Sequence, residues 1–327
     1  MNWKLYYRRE IDSSAGRRTV DKLLRTAHDD SLARAVAGGA IASFPHTALA
    51  YAGPLQAQVV SSLYGSGVER VIALGVLHSG ISTAYRTTLD EARSIATRRA
   101  ALAEVAGGTL LSGNADETPF GGLPLVAMAE NWRVPIRVDR DRLADEFSLD
   151  TFLALMRRAA DLRGVPPLPV LPIFVGPTRD PIDGSFAVAG RLAEWIRSVS
   201  AIDGVPTAIV TTGDLVHFGT PYGDLDADPS RSAEDLEVQF RFQVDRVLAA
   251  ALTARDWDLA YRLSNDVLRN DQREILAVIS EILGPAEHRV VHFELSDYAR
   301  ILDSPRPCYV ASALAVYDRL PQRESTD

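Results

Sequence analysis

Three histidines and one aspartate follow runs that read as buried strands. His46 comes after Ile41–Pro45, His78 after Arg70–Val76, and Asp214 with His217 after Pro206–Thr212. A fourth run, Leu168–Val175, ends at Gly176-Pro177-Thr178. Imidazole and carboxylate arriving together suit a mononuclear metal site or an acid/base cluster. Singly, each has an ordinary reading. A histidine after a strand is commonly a hydrogen-bonded loop or core residue, and Asp214 could cap a turn. No HxH or HExxH spacing ties them together. What joins them is their equivalent position, because ligands in open α/β sheets bind beyond the carboxyl ends of the strands.

The elements that would position these groups follow from pattern. Ile41–Pro45, a helix over 54–64 with Pro54 in its first turn, and Arg70–Val76 read as a strand–helix–strand unit with adjacent strands. Val20, Leu23, Leu24, Ala27, Ala33 and Val36 predict one helix over Arg18–Ala37. Helices are further expected over 88–106, 139–160 and 187–199, with three more in 233–283. The stretch 114–122 reads as a loop, as does the polar run 221–232. Pro172 would suit the edge or end of its strand. Two further strands are expected in 289–318. The fold class is α/β, with a mainly parallel, mixed sheet sandwiched by helices, in one domain spanning 1–327.

The 327-residue chain is 46% hydrophobic and 24% charged, with a formal net charge of -8. That balance argues against nucleic acid or an anionic membrane as partner. No apolar run approaches the ~20 residues needed to span a bilayer. The start, MNWKLYYRREID, has no apolar segment of the secretory kind. The single cysteine, Cys308, excludes an internal disulfide framework and a CxxC metal site, and points to a cytoplasmic setting. Lys4 and Lys22 are the only lysines, which disfavours Schiff-base and P-loop chemistry. There is no GxSxG elbow for a hydrolase.

Across most of its length the chain resembles the Memo-like family (AmmeMemoRadiSam protein B type), related in fold to class III extradiol dioxygenases such as protocatechuate 4,5-dioxygenase. The family's Ala-Pro-His-Ala-Gly-Tyr is matched by Phe44-Pro45-His46-Thr47-Ala48-Leu49 with Tyr51-Ala52-Gly53, and its Leu-Gly-Pro-Ser-His by Leu74-Gly75-Val76-Leu77-His78. Thr118-Pro119-Phe120-Gly121, Glu146-Phe147-Ser148-Leu149-Asp150 and Leu171-Pro172-Ile173-Phe174-Val175-Gly176 are similar to further family segments. So are Thr212-Gly213-Asp214-Leu215-Val216-His217-Phe218-Gly219, and Tyr298-Ala299 followed by Tyr309-Val310-Ala311-Ser312-Ala313.

The resemblance implies that His46 and His78 bind a metal, Fe(II) or alternatively Zn(II); His217 would then suit acid/base work on the substrate, with Asp214 orienting it or sharing that role. His217 could instead complete a three-histidine set. An enzymatic member would be a non-haem dioxygenase-like oxidoreductase acting on a small molecule. The alternative is a non-catalytic descendant that binds a peptide or small ligand in the same crevice. The chain also departs from the family. The third ligand, cysteine in Memo proteins and glutamate in the dioxygenases, has no cysteine counterpart here. The corresponding segment offers Asp266, Asn270 or Asp271. The expected outcome is weak or absent metal binding. Phe147 replaces a family histidine and reads as a core aromatic on a helix.

Overall fold

The structure, a computed structural model, describes residues 2–78, 91, 94–111, 113–127, 136–139, 141–224, 228 and 231–321. It is mixed α/β. Eleven α-helices and a nine-stranded sheet are seen among the described residues. The sheet order is β10-β11-β1-β8-β2-β7-β3-β6, with the short β9 beside β11. Its parallel centre is β1 (Ile41–Phe44), β8 (Thr207–Thr212), β2 (Arg70–Val76) and β7 (Val170–Val175). The two strands expected in 289–318 are β10 (Ala286–Asp297) and β11 (Cys308–Arg319), which pair antiparallel, β11 also running antiparallel to β1. β9 (His217–Gly219) is antiparallel to β11. On the other flank β3 (Gly108–Leu110) runs antiparallel to β7 and parallel to β6 (Ile136–Val138).

Helices cover both faces. α2 (Ser14–Thr26), α3 (Asp30–Ala37), α4 (Leu49–Gly65) and α6 (Asp150–Arg163) share one apolar core with the sheet. α7 (Ala187–Ala201), α8 (Ala233–Leu248) and α10 (Leu276–Leu283) share the other, with part of α9 (Trp257–Leu263). The central strands are buried on both faces, which is why they read as continuous apolar runs. α5 (Ile95–Val105) packs Ala101, Leu102 and Val105 against Val188 of α7; the earlier part of the helix expected over 88–106 falls mostly outside the described residues. No helix among the described residues is long and apolar enough to cross a membrane.

The expected adjacency of β1 and β2 is overturned, because β8 lies between them. A strand–helix–strand pattern specifies a crossover, not how many strands it skips. A helix as long as α4 can return the chain one place further on, since neighbouring strands are only ~4.8 Å apart. The consequence is functional: the carboxyl ends of β1, β8 and β2 carry His46, Asp214 and His78 side by side.

Other boundaries differ for local reasons. The helix expected over Arg18–Ala37 is two helices, with Asp29 capping α3 through the Leu32 N–H. α4 starts at Leu49, so Pro54 lies inside it on the solvent side; the first turn is capped by Glu10 of α1 (Trp3–Asp12), whose carboxylate accepts the Leu49 N–H at 2.8 Å. The segment 114–122 contains a hairpin, β4 (Ala115–Thr118) and β5 (Gly121–Pro124), with Gly121 at φ +107°. Pro172 is mid-strand, paired to Ala73 of β2. Its missing N–H falls on the β3 side, where the paired run is only Ile173–Val175. The helix expected over 139–160 begins only at Asp150, which leaves Glu146 and Phe147 in an irregular approach segment.

Candidate metal centre

At the carboxyl edge of β1, β8 and β2 a cavity of about 510 Å³ opens over His46, His78, Asp214, His217 and Asp271. Two groups of donors lie within 4.8 Å: His46, His78 and Asp271, and Asp214, His217 and Asp271. Asp271 belongs to both. Its Oδ2 is 3.4 Å from His46 Nε2, 3.8 Å from His78 Nε2 and 3.7 Å from His217 Nε2. Asp214 Oδ2 lies 3.6 Å from His46 Nε2 and 3.9 Å from His217 Nε2.

The proton positions follow from the partners. His78 Nδ1 is 3.0 Å from Glu146 Oε1, and a carboxylate only accepts, so the ring's Nδ1–H donates. His217 Nδ1–H likewise donates to the Arg269 carbonyl at 2.8 Å. Thr212 Oγ1 uses its own proton on the Phe44 carbonyl, at 2.9 Å, and so can accept from His46 Nδ1 at 3.4 Å. In the neutral form all three rings therefore turn an unprotonated Nε2 inward. The atom they face, Asp271 Oδ2, is buried and has no hydrogen-bond partner. Acceptors converge on one point with no donor among them, an arrangement that a cation or added protons must satisfy. Donors bound ~2.0–2.2 Å from one ion at tetrahedral angles lie ~3.3–3.6 Å apart, within a few tenths of an ångström of these separations. The residues present thus fit a divalent ion.

Of the three candidate third donors, Asp271 is the one brought into the cluster. Asn270 instead accepts the Gln272 N–H at 2.7 Å and caps the short turn Asp271–Glu274. Asp266 accepts from Asn265 on an exposed turn. The Asp271 turn is fixed from three sides. Its N–H donates to the Asp214 carbonyl at 3.0 Å. Gln272 donates to Ser43 at 2.6 Å and accepts from Tyr317 at 3.0 Å. Glu274 accepts from Thr178 N at 2.7 Å, so Thr178, expected at the crevice, instead anchors the turn from outside it. Before it stands Arg269, left-handed at φ 50°, whose carbonyl orients His217.

The charges divide the two aspartates. Burial pushes Asp214 above the usual carboxylate range. Burial also opposes ionisation of Asp271, but the imidazoles of His217, His46 and His78 hold it well below that range. Burial disfavours a charged His78, yet the Glu146 carboxylate beside it raises the ring to about 10. Asp271 is thus the standing anion of the cluster, and Asp214 the group suited to hold a proton.

Phe147 corrects the helix reading. It lies ahead of α6, stacks on His78 at 4.4 Å and 14°, and meets His46 edge-on at 5.8 Å. Trp3 and Tyr7 of α1, with Tyr222 and Tyr298, complete an aromatic wall. Sequence reasoning gave no role to Glu146, although it heads the matched Glu-Phe-Ser-Leu-Asp segment; nor did it bring α1 to the crevice. In comparisons with known proteins, no family model and no curated sequence matches the chain.

Proposed function

We propose that the chain is a Memo-like, class III extradiol dioxygenase-like protein whose crevice takes one non-haem divalent metal through His46, His78 and Asp271, for oxidative chemistry on a small molecule. The observation that carries this reading is Asp271 Oδ2, buried, unpartnered and faced by three Nε2 atoms at 3.4–3.8 Å. Two imidazoles and a carboxylate are the donor set of non-haem iron(II) oxygenases, and they also suit zinc. Bound there, the ion would supply Lewis acidity and open positions for a catecholate-type oxygen pair and O₂.

The protein's own groups do the rest. His217, held by the Arg269 carbonyl, presents Nε2 beside Asp214 Oδ2 at 3.9 Å. This pair would take a hydroxyl proton from the substrate and return it later. Phe147, Trp3 and Tyr7 would exclude water and stack on a planar ligand. The cavity lies in the size range of small-molecule sites.

The test is elemental analysis of tag-free protein, then anaerobic Fe(II) loading and O₂ uptake with a panel of catechols. Metal binding with ring-opened product is the expected result. Absence of any Fe(II) or Zn(II) binding overturns the reading. Metal binding without turnover leaves ligand binding as the crevice's function.

A further inference from the structure

Glu146 is a charged side chain beside the centre that neither faces the common point nor belongs to the donor set; it binds His78 from behind. Its side chain is fully buried, at 0% exposure. Oε2 accepts the His78 backbone N–H at 2.6 Å, and Oε1 accepts the His78 ring Nδ1–H at 3.0 Å. Oε1 also accepts the N–H groups of Phe147 and Ser148, at 2.8 and 3.0 Å. One carboxylate therefore clamps both the backbone and the ring of His78, and ties the tip of β2 to the approach to α6. The same short segment supplies Phe147, whose ring stacks on the His78 imidazole. Glu146 and Phe147 thus fix that imidazole by its edge and by its face.

Resting on the metal reading above, we infer that Glu146 is a positioning residue of the centre: its buried carboxylate holds His78 with Nε2 turned inward and places a second negative charge behind that ligand, strengthening its grip on a divalent cation. Two physical effects combine. An outer carboxylate on a ligating imidazole fixes its tautomer and raises its donor strength. Asp271 supplies one negative charge within the proposed donor set, and Glu146 adds another behind His78, through the ring. The other two histidines have weaker outer partners, a carbonyl for His217 and a hydroxyl at 3.4 Å for His46.

The experiment compares tag-free wild type with Glu146→Gln, which keeps the shape and removes the charge. Zinc affinity is read near neutral pH by competition with a chromophoric chelator. Ring ¹⁵N shifts of the zinc-loaded wild type report which His78 nitrogen carries the proton and which binds zinc. The expected result is ~10–100-fold weaker zinc binding by the variant, the usual cost of losing an outer-shell partner. In the wild type, His78 should bind through Nε2 and keep a proton on Nδ1. A purely structural Glu146 would lower the unfolding midpoint of the metal-free variant without moving zinc affinity. A variant that binds zinc within about two-fold of wild type overturns the inference and leaves the metal reading standing. So does a wild-type His78 bound through Nδ1, a result that needs no folded variant. Wild type that takes up no zinc overturns the metal reading itself, and the Glu146 role with it.

Discussion

His46 and His78 meet with ring centroids 5.0 Å apart, yet they are held in opposite ways. His46 is 4% exposed, and its loop is tied from several elements. Asp214 Oδ1 accepts its N–H at 3.1 Å, and Gln56 donates to the Pro45 carbonyl at 2.9 Å. The Ala48 N–H donates to Tyr298 at 2.7 Å, and the Leu49 N–H to Glu10 at 2.8 Å. Behind the ring, at Nδ1, stands only the long Thr212 contact among the described residues. The His78 side chain is 29% exposed, and one residue, Glu146, holds its ring and backbone together. Buried backbone must find partners, so the His46 loop accumulates them. The His78 ring, nearer solvent, is held by a buried carboxylate at its edge and the stacked Phe147 on its face. The His46 position should therefore survive single substitutions around it, whereas the His78 position should hinge on Glu146.

The largest effect should come from the group that both histidines face. Asp271→Ala removes the shared carboxylate, so loss of Zn(II) or Fe(II) affinity should exceed the ~100-fold upper cost of an outer-shell change. Titration calorimetry reads this directly. Asp214→Ala should lose far less metal affinity, because burial favours its protonated form, and should instead depress turnover. Equal losses of metal affinity in the two variants would make Asp214 a ligand and erase the division of labour between the aspartates.

That division shows where sequence reasoning stops. The strands, the parallel centre and the strand-end histidines follow from apolar runs and their punctuation, which are local properties. Asp271 could not be chosen over Asp266 and Asn270, because the choice is made by remote groups: the Asp214 carbonyl, Ser43 and Tyr317, which pin the turn. The start of α4 is not a local property either, because its cap, Glu10, lies 39 residues upstream. The late start of α6 has the same kind of cause. Glu146 binds His78, 68 residues away, and its carboxylate takes the next two N–H groups out of helical pairing. Nor does local pattern reveal that β8 separates β1 from β2, although that insertion brings Asp214 between the histidines.

The contrast between the two histidines also predicts a pH profile for the metal-free protein. His78 is raised from 6.5 to about 10, so its folded form binds the proton more tightly than its unfolded form. That contribution is complete below 6.5 and lost as pH rises through 10. Glu146 is lowered from 4.5 to about 2 against the opposing effect of burial, chiefly by the charge of His78. Its contribution is complete above 4.5 and lost as pH falls through 2. The stability gap between wild type and Glu146→Gln should be widest between pH 4.5 and 6.5, and should narrow on both sides. Chemical denaturation across that range measures it. A gap independent of pH would mean that Glu146 acts through shape rather than charge.

The smallest effect should belong to the outer partner of His46. Thr212 Oγ1 lies 3.4 Å from Nδ1, beyond a good hydrogen bond, and its proton is used on the Phe44 carbonyl at 2.9 Å. Thr212→Val keeps the β-branched shape inside a buried strand and removes the hydroxyl. The Phe44 carbonyl keeps its bond from the Gly213 N–H at 3.1 Å, so the change should cost about 1 kcal/mol of stability. Zinc affinity should fall by only a few-fold, because the His46 loop is still held by Asp214, Gln56, Tyr298 and Glu10. The informative quantity is the ratio of the two outer-partner effects, Glu146→Gln against Thr212→Val, in one chelator competition. A large ratio means that charge behind the ligand governs the centre. A ratio near one means that each imidazole needs only some acceptor at Nδ1, and the asymmetry between the two histidines then has no consequence for binding.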